Sequence, residues 1–283
     1  MRNNSTGDIA FGNNVQVFGT GSSFFNLLGS APAGSTVLFG DLLIGDQQGV
    51  GAVATGSQAY TLAFATVHLT GGTSTFTPRP VANVNYVSVE NIRLGTITES
   101  SPSGLTMNGA ATLTLAAAGG YTGATVISSG TLQVGTGGTT GTLGSGPVTD
   151  NALLVFNRSD ALTVANAIAG TGAVTNAGGP VNVLTLTGAQ GYAMLNANAG
   201  TTNVNGSFTN AAAVVNANAR VNFGASQTLG ALVIADGVEV TFGDGLPFAD
   251  EPEKFGAPAL VPEPGVLGLL MVGALGVVAR RRR

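Results

Sequence analysis

The chain of 283 residues has no cysteine, no tryptophan and a single histidine. Without thiols there is no disulfide framework and no thiolate metal site. Charge is nearly as scarce. Asp, Glu, Lys and Arg make up 8% of the residues, against roughly 25% in an average soluble domain. Long soluble helices carry such residues on their wet face, so the composition argues against them. Outside the last four residues, all arginine, six basic residues face fourteen acids. The body therefore offers no basic groove, and nucleic acid is excluded as a partner. Met1–Asn14 contains no apolar stretch of the signal-peptide kind.

Glycine is abundant, at 44 residues, alongside much Thr, Ser, Asn, Ala and Val. Such a chain suits many short strands parted by turns rather than disorder. The stretch VVNANARVNF, Val214–Phe223, alternates cleanly: Val215, Ala217, Ala219, Val221 and Phe223 share one face, and Asn216, Asn218, Arg220 and Asn222 the other. A period of two marks a half-buried strand. The segments around Leu113, Leu115, Leu132, Val134, Leu184, Leu186, Val238, Val240 and Phe242 alternate likewise and are expected to point inward. Leu113–Gly135 also aligns with Leu184–Gly206, their LTL triplets and tyrosines (Tyr121, Tyr192) keeping the same offset. Short repeated strands cannot close a core alone; they stack.

Gly119–Gly179 resembles the autotransporter-associated β-strand repeat. The matching positions are Tyr121-Thr122-Gly123, Gly130-Thr131-Leu132 and Leu143-Gly144-Ser145-Gly146-Pro147-Val148. The resemblance implies a right-handed parallel β-helix, or β-solenoid, belonging to an exported passenger. The fold class is then all-β, with roughly a dozen coils stacked about 4.8 Å apart over residues 1–245. We expect a β-rich N-terminal part over 1–103, the repeat region over 104–245 and a Pro-rich linker over 246–260.

The last segment, 261–283, has three parts. They are Val261-Pro262-Glu263-Pro264, the uncharged run Gly265–Ala279, and Arg280, Arg281, Arg282 and Arg283. As a helix the run would span roughly 22 Å, short of the ~30 Å hydrocarbon core. Snorkelling and local thinning help close that gap, and the arginines would stay on the cytoplasmic side. The three parts together resemble the PEP-CTERM sorting signal. That resemblance implies an exosortase-type membrane protease-transpeptidase as partner, cleavage near the box, and a short C-terminal transmembrane helix as a temporary anchor. Such a tail also leads us to expect a leader upstream of Met1.

Candidate chemistry elsewhere is thin, and no cofactor is expected. His68, alone on a strand, reads as structural. Asp41 and Asp46 lack the dense spacing of a calcium loop and read as solvated turn acids. Arg158 and Asp160 read as a surface pair or turn contact. Glycine-rich stretches such as GTGGTTG have no following lysine and are not phosphate loops. The favoured function is a non-enzymatic exported surface or matrix protein, structural or adhesive, with extracellular polysaccharide as a candidate partner. The alternatives are a carbohydrate-active β-helix enzyme and an adhesin passenger fragment; fold alone does not separate them.

Overall fold

The computed structural model describes residues 2–3, 8–29, 34–54, 60–78, 80–83, 86–89, 91–225, 227–243, 246–247, 268–272 and 275–282. Their regular structure is all β. Apart from three antiparallel pairings, the strands pair in parallel, each with a strand one coil away in sequence, which is the pattern of a β-solenoid. One interior column runs Ile9, Val37, Leu62, Ile92, Leu113, Leu132, Leu154, Val174, Leu195, Val215 and Leu232. Those are eleven stacked positions among the described residues, close to the expected dozen.

Each coil visits three faces. In the downstream half the first face stacks Val148–Asp150, Ile168–Ala169 and Gln190–Gly191. The second stacks Leu153–Phe156, Ala173–Asn176, Met194–Ala197, Val214–Ala217 and Ala231–Ala235. The third stacks Ala161–Val164, Val183–Leu186, Thr201–Val204, Arg220–Phe223 and Val240–Phe242. Upstream, single longer strands turn the corner between second and third faces without a break: Ser35–Ile44, Tyr60–Leu69 and Asn91–Glu99. A small residue stands at each of these corners, namely Gly40, Ala65 and Gly95. At Gly95 a Cβ would lie 2.0 Å from the Ala65 carbonyl oxygen, so the rungs close there only over glycine.

The core is the inside of the tube. Leu113, Leu115, Leu132, Val134, Leu184, Leu186, Val221, Phe223 and Val240 are all buried, as their alternation predicts. Val238 and Phe242 are partly buried and pack against them. Near the N-terminal end Phe11, Phe39 and Phe64 stack on consecutive rungs, with ring centroids 5.3 and 6.0 Å apart.

Two expectations change in the solenoid. Val214–Phe223 is two strands, not one: Val214–Ala217 belongs to the second face and Arg220–Phe223 to the third, with Asn218 and Ala219 at the corner. The alternation survives because the corner consumes an even number of residues. The Leu113/Leu184 alignment does not follow the coil. Leu113 stacks on Leu132 in the second face, whereas Leu184 stacks on Leu162 in the third. Every face asks for the same apolar–polar–apolar sequence, so strands of different faces align as readily as true neighbours.

No helix occupies the described part of Gly265–Ala279; Gly268–Val272 and Leu275–Arg282 form an antiparallel hairpin, the second strand parallel to Ala231–Ala235. The run is rich in glycine and valine, weak helix formers. Its second strand pairs with the open edge of the last coil, Leu232–Ala235 against Ala279–Arg282.

Candidate functional site

On the third face of the upstream coils, alternate side chains point outward. The register places Gln16 beside Leu43, Leu43 beside His68, and His68 beside Thr98. A second row sets Asp41 beside Thr66 and Thr66 beside Thr96. Asn14 reaches over from the first coil, where its Oδ1 accepts the Asp41 N–H at 2.9 Å. Gly40 makes this possible, since a Cβ there would sit 2.5 Å from that oxygen. Together these side chains line a groove of about 560 Å3, with Asn14, Gln16, Asp41, Leu43, Thr66, His68 and Thr98 in its walls. The His68 Nδ1 lies 2.9 Å from Thr98 Oγ1. Asp41 is the one carboxylate among the groove's lining residues.

The two acids read from sequence as solvated turn acids lie in different places, Asp41 in the strand Ser35–Ile44 and Asp46 in a turn. Asp41 is in the groove. Asp46 sits in the following turn, where its Oδ1 accepts the Thr73 N–H at 3.0 Å and its Oδ2 the Gln47 amide. Those hydrogen bonds, the Thr73 one first, hold its carboxyl below the ordinary range. Among the described residues no group of three or more His, Cys, Asp or Glu side chains is placed to hold a metal ion.

Arg158 is not a surface residue but 7% exposed. Its guanidinium donates to the Thr139 and Gly141 carbonyls at 2.6 and 2.8 Å and to both Asp160 oxygens at 2.6 and 2.8 Å. It fastens the loop 135–142 to the solenoid, and its hydrogen bond to Asp160 lowers that carboxyl's pKa. Glu99 performs a similar task, accepting from Thr122 Oγ1 and from the Thr122 and Ser103 N–H groups.

Several interior polar groups are not legible from local pattern. Asp150 continues an apolar column of Phe76, Met107 and Ile127 and is fully buried. Burial raises its pKa to about 6, against the backbone hydrogen bonds from Ala152 and Leu154. Tyr192, also fully buried, is pushed up by burial and then by the Asp150 charge. Asn176, Asn182 and Thr202 form a second buried set, joined by 3.0 Å hydrogen bonds. The outer faces carry ladders instead: Thr175–Asn196–Asn216 on the second and Thr185–Asn203–Asn222–Thr241 on the third. An inward Asn and an outward Asn look alike in sequence; only the coil's phase tells them apart.

Of the residues expected to direct sorting, Val261, Pro262, Glu263, Pro264 and Arg283 lie outside the described residues, and Arg280, Arg281 and Arg282 are described as backbone in the last strand. Among the described residues no helix is long and apolar enough to cross a membrane.

Comparison with known proteins gives two family-model matches at separate places and one similar relative. Residues 105–134 match the passenger-associated-transport-repeat. In the structure they run from the strand Ser103–Leu115 through Thr125–Val134, one coil of the stack with its next rung. A stretch of 55 residues, 19% of this chain, is 46% identical to "Adhesin BmaC autotransporter" of Brucella suis biovar 1 (strain 1330). It spans 2% of that protein's length. No solved structure matches. At the other end, residues 260–283 match the PEP-CTERM protein-sorting motif. The chain thus joins an autotransporter-type passenger repeat, built into a parallel β-solenoid, to a PEP-CTERM sorting motif at its C-terminus.

Proposed function

We propose that this is an exported, non-enzymatic scaffold protein of the cell surface or extracellular matrix, delivered by its C-terminal motif. The observation that carries the reading is the pairing of a passenger-type solenoid with a sorting motif at residues 260–283. An adhesive role draws support from the name of a relative that is similar over 55 residues. In the bilayer, residues 265–279 form a helix, because every backbone group must then be satisfied within the segment. Arg280–Arg283 hold its end on the cytoplasmic side. An exosortase-type membrane protease-transpeptidase then cuts near Val261–Pro264 and hands on the body. Around the groove, paired-acid glycoside chemistry needs a second carboxylate flanking the bond, and Asp41 stands alone among the lining residues.

The test is expression of the full chain behind a signal peptide in a host with an exosortase, read by intact mass. Release of a body lacking the apolar run and the arginines is expected. Glu263→Ala should leave full-length protein in the membrane fraction, since it alters the box and not the run. Leu269→Arg should hinder insertion itself, because a central Arg costs about 2.5–3.5 kcal/mol on insertion scales. Unprocessed protein in every case, with Glu263→Ala indistinguishable from the parent, rejects the sorting reading.

A further inference from the structure

We propose that the groove formed by Asn14, Gln16, Asp41, Leu43, Thr66 and His68 binds a neutral polysaccharide chain. This goes beyond delivery and rests on the body being displayed outside the cell, where such polymers are met.

Four observations carry the inference. The first is size: about 560 Å3 falls in the range of roughly 300–1,000 Å3 that holds small ligands. The second is unspent hydrogen-bonding capacity. Farther along the third face the outward polar side chains bond to one another, as in the ladder through Asn203, Asn222 and Thr241. In the groove the Asp41 and Gln16 side chains face solvent, with Thr66 half-buried between rungs. Carboxylate acceptor, amide donor-acceptor and hydroxyl are the groups that bind neighbouring hydroxyls of a sugar.

The third is a mixed floor. Leu43 is half-buried between Gln16 and His68 and supplies an apolar contact for the C–H face of a pyranose ring. The fourth is charge. No arginine or lysine lines the groove, and its one charged group is the Asp41 carboxylate, which disfavours an anionic polymer. The register repeats the groups rung by rung at about 4.8 Å, so the groove runs across four coils, from Gln16 through Leu43 and His68 to Thr98. That shape suits an internal segment of a chain more than a single sugar.

The experiment is affinity electrophoresis of the purified full-length protein through gels cast with dextran, a mixed-linkage β-glucan, galactomannan or polygalacturonate. Retardation by at least one neutral polymer is expected, and none by polygalacturonate. Asp41→Ala combined with Gln16→Ala should weaken the retention at least tenfold. Thr66→Arg, which puts a long side chain across the groove from an outward position, should do the same. Thr149→Ala, exposed on the first face, should bind as the parent does. Circular dichroism and melting temperature confirm that each variant folds. Retention by none of the neutral polymers, equal retention of the groove variants, or preference for polygalacturonate overturns the proposal. Because the assay uses purified protein, its failure leaves the sorting reading standing, and failed sorting leaves this result standing. Shortening of the retained polymer would confirm the site and reject the non-enzymatic reading.

Discussion

Asp150 is the residue that most departs from its surroundings. Its side chain continues a column of Phe76, Met107 and Ile127, and burial lifts its pKa to about 6. The unfolded chain ionises near ~3.9. Between those two values the folded state holds a proton that the unfolded state has lost. The contribution to stability is therefore full below about pH 4 and is lost as pH rises through about 6. A shift of that size corresponds to about 3 kcal/mol. Asp150→Asn keeps an oxygen for the Ala152 N–H, which donates to Oδ1 at 3.0 Å, and removes the titration. Its melting temperature should rise at pH 7 relative to the parent and match it near pH 4. A parent protein whose melting temperature is flat from pH 4 to pH 6.5 would contradict the assignment. Val134 and Gln133 make a second test of phase. Val134 is fully buried and Gln133 faces outward. Val134→Asp should cost roughly 4 kcal/mol, while Gln133→Asp should stay within about 1 kcal/mol. Equal midpoints in urea would mean the strand is wrongly phased.

At the scale of elements, the strands were legible and the corners were not. Alternation placed Leu132, Val134, Val221 and Phe223 inside because a parallel rung rewards a strict period of two on either side of a turn. Nothing local says that the chain bends at Asn218 and Ala219, since asparagine also serves in the ladders and alanine, as at Ala217, in the buried strands. The same ambiguity let Leu113 and Leu184 align across different faces. The groove was illegible for a related reason: Gln16, Leu43 and His68 are neighbours only through coil lengths that no local pattern states. Arg158 was seen, but as a surface charge; its burial depends on the loop 135–142, which folds back over it and presents two carbonyls. Arg158→Met should cost about 3 kcal/mol by stranding those acceptors and Asp160. Limited proteolysis should then cut first within 135–142. Cleavage at the parent's rate would show that the loop is held by its own backbone instead.

For the whole molecule, stability is a sum over neighbouring coils rather than a property of one centre. Residues 173–193 make one complete coil, because Ala173 stands in register with Met194. Their removal should leave a shorter solenoid with a cooperative melt and the circular dichroism of β structure. Removal of 173–182, about half that length, should lower the melting temperature far more, because every later strand is then moved on by one face and its corners no longer stack on the coil before it. The parallel ladders have one more consequence. Their hydrogen bonds run along the stacking axis, and the two chain ends leave from opposite ends of the stack. A pull between surface and environment therefore loads the rungs in series, so they peel one after another instead of shearing together. Each freed coil of about 20 residues replaces a rise of about 4.8 Å with roughly 65–70 Å of extended chain. Anchored at one end and gripped at the other, the protein would yield by lengthening in steps, as a shock-absorbing tether does.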